Sequence, residues 1–249
     1  MSISGIGYQN LSSGLKIYSA ADDPSGKAIA EKLKTQSTGY DVGTENAQSG
    51  KDALKVADGA LGSIGDSLQR IKELALKASN SAIMSDDEKG LIQKEIDQLK
   101  QGIQETAKNT SFNSVKLLDG SSADLKLATN PDGTGQSIKM VNSTLENLGI
   151  ADFNVNGEFD VSKIDDAIEM VSEKRSSIGA QSNGLDSKIA YNQYSSYNTT
   201  ASRSRIEDLD YGKASVEKEK EKLLEQYRIQ MQKRQMEEDP KRNLINTLM

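Results

Sequence analysis

In a chain of 249 residues with no cysteine and no histidine, the side chains able to do chemistry are carboxylates, lysines, tyrosines and hydroxyls. Without cysteine there are no disulfides, no thiolate nucleophiles and no Cys-ligated metals. Without histidine the commonest neutral-pH general base and the commonest metal ligand are also missing. No Ser or Lys stands beside a recognisable base partner. Asn130-Pro131-Asp132-Gly133-Thr134-Gly135 gathers oxygen ligands in a run faintly like a calcium loop. Its ligand spacing is wrong and no Glu closes it at the twelfth position, so it reads as a turn. Tyr191, Tyr194 and Tyr197 follow one another at helical spacing and read as a polar-tipped packing stripe rather than a ligand-stacking platform. Lys233-Arg234 has Glu237, Glu238 and Asp239 beside it and reads as a solvated helix face. The net charge of −6 supplies no field to draw nucleic acid or anionic lipid. These residues predict no enzyme, no metal and no cofactor.

The elements that carry them are helical. Hydrophobic residues make up 35% and aromatics 4%, with no Trp, which suits thin helical bundles better than a wide core. Three prolines in the chain permit very long helices. Leu33, Tyr40, Ala47, Leu54, Leu61, Leu68 and Ala75 recur every seventh residue. Gly43, Gly50, Ala57, Ile64, Ile71 and Ala78 follow three residues behind. The alternating steps of three and four put both series on one face, a coiled-coil or bundle seam. The small residues at 43, 47, 50 and 57 predict close approach of a neighbouring helix. That helix is predicted to end near Asn80. Ser85-Asp86-Asp87-Glu88 then has the form of a capping box, opening a second helix with Ile92, Ile96, Leu99, Ile103 and Ala107 inward.

Residues 114–140 change to alternation around Asp119-Gly120 and Asn130–Gly133, predicting a small hairpin or three-stranded patch. A short helix is expected around Leu145. Ile164, Val171, Ile178, Leu185, Asn192, Thr199 and Ile206 form another seven-residue series, so a second long helix is expected to return beside the first. The last segment is charge-rich, with an apolar stripe at Val216, Leu223, Leu224, Tyr227 and Met231. Pro240 is expected to end its helix, leaving a tail with Leu244 and Leu248. No apolar stretch approaches membrane-spanning length, and the first seven residues lack the form of a secretory signal. The fold class expected is mainly α: an elongated antiparallel long-helix bundle or coiled coil with a small β-hairpin region.

Four motifs then point to a family. Leu11-Ser12-Ser13-Gly14-Leu15-Lys16-Ile17 followed by Ala20-Ala21-Asp22-Asp23-Pro24-Ser25-Gly26 strongly resembles the N-terminal signature of bacterial flagellins. So does Leu68-Gln69-Arg70-Ile71-Lys72-Glu73-Leu74-Ala75. Phe112-Asn113 before Val115–Gly120 is similar to the family's helix-to-hairpin junction. Ala201–Asp208 with Asp210-Tyr211 looks like its C-terminal signature. All four occur in the family's order.

The resemblance implies a structural subunit of the flagellar filament that self-assembles through terminal amphipathic helices into a helical polymer. It implies an extracellular location after export through the flagellar type III channel, with no cleaved signal. It also implies an export chaperone on the C-terminal stripe, and cap and junction proteins as partners. The domains expected are a remnant N-terminal core segment at 1–24, a helical rod with its hairpin patch at 25–206, and a C-terminal core helix and tail at 207–249. Two departures stand out. Only ten residues precede Leu11, where the family has a further helix, and the C-terminal helix is dense in Lys and Glu, whose burial is costly unless each is paired. Leu33, Tyr40, Leu54, Leu61, Ile64, Leu68, Ile71, Ile164, Val171, Ile178 and Leu185 are expected to form the self-association and packing seam. By resemblance, Gln69, Arg70, Leu74 and Glu95 match the patch through which animal Toll-like receptors detect flagellin. A hook–filament junction protein is the alternative within the same architecture. A non-polymerising secreted binding module or immune ligand is the alternative from another class.

Overall fold

A computed structural model describes the backbone of residues 8–80 and 84–248 and the side chains of 10–80 and 84–236. Five helices are described: α1 (Tyr8–Ser13), α2 (Pro24–Ala78), α3 (Asp86–Asn109), α4 (Ser162–Glu207) and α5 (Tyr211–Leu248). Between α3 and α4 lie four short strands, β1 (Ser111–Phe112), β2 (Val115–Lys116), β3 (Leu125–Ala128) and β4 (Gly135–Ile138). The protein is mainly α with small antiparallel β elements, as the heptads and the alternation at 114–140 predict. It divides into two compact units, 1–37 with 197–249, and 38–196. Both divisions fall inside α2 and α4.

In the second unit, 38–196, the two seven-residue series of α2 are the core. Ala47, Leu61, Leu68 and Ile71 are completely buried, and Leu54, Ala57 and Ile64 nearly so. From α4, Ile164, Ala167, Val171, Ile178 and Leu185 fill the same cluster. Polar ties along the edges set the direction of the pair. Asp41 accepts from Ser196 at 2.6 Å, Lys51 meets Asp186 at 2.5 Å, Asp58 meets Arg175 at 2.8 Å, and Lys72 meets Asp165 at 2.5 Å. Position climbs on α2 as it falls on α4, so the helices run antiparallel. These ties are largely exposed and contribute little each; the buried aliphatic seam carries the stability.

The capping box at the start of α3 forms as its residues predict. The Ser85 hydroxyl accepts from the Glu88 amide at 3.3 Å, and the Ser85 amide donates to the Glu88 carboxylate at 2.8 Å. One face of α3 then binds the segment after β4 through its backbone. Gln104 accepts from the Leu145 amide at 3.1 Å, Lys100 donates to the carbonyls of Ala151 and Phe153, and Gln93 accepts from the Val155 amide at 2.7 Å. The short helix expected near Leu145 is a single turn. Gly149, at φ +71°, ends it, with the Ile150 amide bonded back to the Leu145 carbonyl.

The β patch is two separate two-stranded hairpins, β1 with β2 and β3 with β4, rather than one three-stranded sheet. The β3–β4 hairpin exploits the small residues of α2, joined at Gly43 by Asn192 of α4. A Cβ on Gly43 would stand 2.5 Å from the Thr129 carbonyl oxygen, and one on Gly50 would stand 2.2 Å from a Leu127 methyl. The tip is also held by donors on both helices. Asn46 donates to the Ala128 carbonyl and Asn192 to the Thr129 carbonyl, each at 2.8 Å, and Lys188 donates to the Asn130 side chain. Pro240 does not end α5, which continues to Leu248. A proline removes one backbone donor, and a helix can absorb that loss as a kink instead of stopping.

Candidate assembly and recognition surfaces

The first unit, 1–37 with 197–249, brings together the two terminal signatures read from the sequence. Gly14 sits at φ +71° after α1, a conformation glycine adopts without strain. The chain then pairs with the end of α4. The Lys16 amide donates to the Glu207 carbonyl at 2.7 Å, and the Leu209 amide donates to the Gly14 carbonyl at 2.8 Å. Asp22 folds the next turn by accepting from the amides of Tyr18 and Ser19. Asp23 caps α2, accepting from the amides of Ser25 and Gly26 at 3.1 and 2.9 Å, with Pro24 at the first helical position. Gly26 is required there: a Cβ would lie 2.3 Å from the Asp23 carboxylate and 2.7 Å from the buried Ile17. Lys27, one turn further, reaches the largely buried Glu207 carboxylate at 2.6 Å. The Ala-Asp-Asp-Pro-Ser-Gly run and the Arg-Ile-Glu-Asp run are thus two halves of one junction. Glu207 raises the pKa of Lys27 above its ordinary value by accepting its hydrogen bond, so the ammonium is held charged.

The predicted seam residues are used inside the chain. Leu54, Leu61, Ile64, Leu68, Ile71, Ile164, Val171, Ile178 and Leu185 are each no more than 4% exposed. They pack the molecule itself, as expected of a packing seam. Leu33 and Tyr40 are half-buried. The C-terminal stripe is bare: Val216, Leu223, Leu224, Tyr227 and Met231 are exposed by 42 to 68%. The side chains of Leu244 and Leu248 lie outside the described residues. Tyr194 and Tyr197 are about 70% exposed and do not form the packing stripe expected of them. Tyr191 alone makes ring contacts, edge-on to Tyr40 and beneath the Lys188 ammonium.

On the outer side of α2 and α3, Gln69 and Arg70 are exposed. Arg70 is held between two carboxylates, donating to Glu95 at 2.8 and 2.9 Å and to Glu73 at 3.0 Å. Leu74, expected as the apolar anchor of that surface, is 3% exposed: three residues after Ile71 it packs into the core, with its edge lining the groove beside Arg70. Leu76, 55% exposed, is the apolar side chain presented there. Arg70, Glu73, Leu74, Leu76, Ile92 and Glu95 line an open groove between α2 and α3. Lys27, Glu207 and Asn192 were missed by sequence reasoning. The first two lie 180 positions apart with no local signal. Asn192 was visible as the polar member of the α4 series. Among the described residues, no cluster of acidic side chains could hold a metal ion and no helix is long and apolar enough to cross a membrane.

Two family patterns match the chain. The bacterial flagellin N-terminal helical region matches residues 7–123, and the bacterial flagellin C-terminal helical region matches residues 161–246. A flagellin of Halalkalibacterium halodurans is 34% identical, covering 88% of this chain and 82% of that protein. The flagellar filament core protein flaB2 of Brachyspira hyodysenteriae is 32% identical, covering 89% of this chain and 84% of its own. Among solved structures, Bacillus cereus flagellin superposes with a TM-score of 0.54 at 27% identity, covering 59% of this chain and 88% of that one.

Proposed function

The chain belongs to the bacterial flagellin family, and from that premise we propose how it serves as a subunit. It is a structural component of the flagellar filament, a helical polymer outside the cell, and not an enzyme. The self-association element is α5. The observation that supports this assignment is its apolar stripe, left in water at Leu223, Leu224 and Tyr227 while the α2–α4 seam is closed within one chain. An amphipathic helix that cannot bury its stripe alone gains stability when a further copy covers it. Growth into an open filament requires that contact to be head-to-tail and non-closing. Before assembly the same stripe is covered by an export chaperone, and the subunit leaves through the flagellar type III channel. Cap and junction proteins bound the polymer at its ends. Negative-stain microscopy and sedimentation of the concentrated full-length chain test this. Filaments are expected from the native sequence and monomers from Leu223→Ser with Tyr227→Ser; native chains that stay monomeric at high concentration would overturn it.

A second reading concerns recognition. The exposed Gln69 and the Arg70–Glu95 pair, with Leu76 rather than Leu74 as the apolar neighbour, form a surface that a host Toll-like receptor engages. Its support is an ordered guanidinium beside an exposed aliphatic side chain, a combination common at binding hot spots.

A further inference from the structure

The dipeptide Asn-Gly occurs twice, at Asn156-Gly157 and Asn183-Gly184, and both asparagines are exposed. Their backbones differ. Asn183-Gly184 lies inside α4, where the Gly184 amide is engaged in the helix ladder and the Asn183 carbonyl also accepts from Ser187 at 3.0 Å. Asn156-Gly157 lies in the non-helical excursion between Val155 and Phe159. Val155 is buried and its amide is held by Gln93, and Phe153 and Phe159 meet edge-on with centroids 6.0 Å apart. Across this anchored base the tip is open. The Asn156 amide donates to Asn154 at 2.8 Å, whereas the Gly157 amide and the Asn156 side chain have no partner among the described residues. A Cβ on Gly157 would meet nothing within 4 Å.

We propose that Asn156-Gly157 is a site of spontaneous modification, at which the protein deamidates and isomerises as it ages. The Gly157 backbone nitrogen, on losing its proton to solvent, attacks the Asn156 side-chain carbonyl carbon. The carbon–nitrogen bond of the side-chain amide breaks, ammonia leaves, and a five-membered succinimide forms. Water then opens either carbonyl, giving aspartate or isoaspartate. One water is consumed, one ammonia is released, and nothing is oxidised or reduced. The reaction needs a nitrogen free of hydrogen bonding and no side chain on the following residue to block the approach, and Gly157 supplies both. Each product adds a negative charge to a loop that already carries Asp152, Glu158 and Asp160. Isoaspartate also inserts one backbone carbon between the fixed Val155 and Phe159.

The test incubates the folded full-length chain at mildly alkaline pH in heavy-oxygen water and maps its peptides by mass spectrometry. Isoaspartate is scored by methyl transfer from an isoaspartyl methyltransferase. Asn156 is expected to convert with uptake of one heavy oxygen and to yield isoaspartate, while Asn183 stays intact. In denaturant both are expected to convert at similar rates. Gly157→Val, which the open surroundings accommodate, is expected to slow conversion at Asn156 manyfold. Equal conversion of Asn156 and Asn183 in the folded chain would overturn the proposal. So would an Asn156 that survives folded incubation while the denatured chain converts, or a rate unaltered by the valine.

Discussion

Lys27 Nζ lies 2.6 Å from Glu207 Oε1, tying together residues 180 positions apart where the first turns of α2 meet the last turn of α4. Glu207 works twice at this point, because its backbone carbonyl also receives the Lys16 amide. Replacing Glu207 by Gln keeps the shape and removes the charge. The junction of the first unit is expected to open more often, so that the Lys16 and Leu209 amides exchange faster by hydrogen exchange while the Leu61–Ile71 amides keep their protection. The ion pair holds the Lys27 pKa above 10.5. Its contribution is therefore fully present at neutral pH and is lost only as pH rises through the elevated value. Exchange protection at Lys16 should consequently be flat across neutral pH.

The α2–α4 seam gives a sharper energetic contrast. Leu61 and Leu68 are completely buried, whereas Leu224 is half exposed. Leu61→Ala or Leu68→Ala is expected to cost about 2–5 kcal/mol in urea unfolding of the monomer. Leu224→Ala should move monomer stability by no more than about 0.5 kcal/mol, its effect appearing instead as a raised critical concentration for filament growth.

These contrasts follow from what was and was not legible in the residues alone. Heptads at Leu54, Leu61 and Leu68 predicted a buried stripe because burial every seven residues is a local property of one helix. The Ser85–Glu88 capping box was legible for the same reason. What covers a stripe is not local. The approach of Thr129 to Gly43 depends on a hairpin some 80 residues away, and the small residues could equally have admitted a helix. The burial of Leu74 was less legible because its motif is shared with the exposed Gln69 and Arg70, and the motif alone does not divide the core side of the groove from the water side. The Tyr191–Tyr197 stripe has helical spacing, but spacing alone does not say which face another element will cover.

Where the β3–β4 tip meets α4, two buried oxygen atoms lack partners among the described residues, Thr129 Oγ1 and Asn192 Oδ1. A buried hydroxyl with no hydrogen bond costs more than a methyl of the same shape. Thr129→Val is therefore expected to raise stability by about 1 kcal/mol, read as a shift of the urea midpoint at unchanged slope. Asn192→Ala acts in the opposite sense. It strips the donor from the buried Thr129 carbonyl and is expected to cost about 1–3 kcal/mol.

Acid should release the cap of α3. The Ser85 amide and hydroxyl donate to Glu88 and hold its carboxyl below the ordinary 4.5. A carboxylate with a depressed folded pKa stabilises the fold above its unfolded value, and that stabilisation is lost as pH falls through the folded value. Asp160 behaves alike, held below 3.8 first by the Ser162 hydroxyl at the start of α4. Exchange protection at Ser85 and Glu88 is expected to be constant above about pH 5 and to fall progressively below the usual carboxylate range. Glu88→Gln should remove this pH dependence at α3 while leaving that of Asp160 in place.

Recognition at the α2–α3 face can be separated from folding by choosing residues on either side of the surface. Arg70 is clamped by Glu73 and Glu95 in the open, so Arg70→Ala removes an exposed group and should leave unfolding within about 0.5 kcal/mol of the native chain. Its expected effect is on binding to the receptor ectodomain, measured by surface plasmon resonance, with a loss of about tenfold or more if the guanidinium is a hot spot. Glu95→Ala should weaken binding less than additively with it, because each variant releases the other's partner. Leu76→Ser should weaken binding without unfolding the protein. Leu74→Ala should cost about 2–5 kcal/mol of stability through the cavity it leaves, with binding reduced only in proportion to the folded fraction. Native affinity retained by Arg70→Ala and Leu76→Ser together would remove this face from receptor recognition.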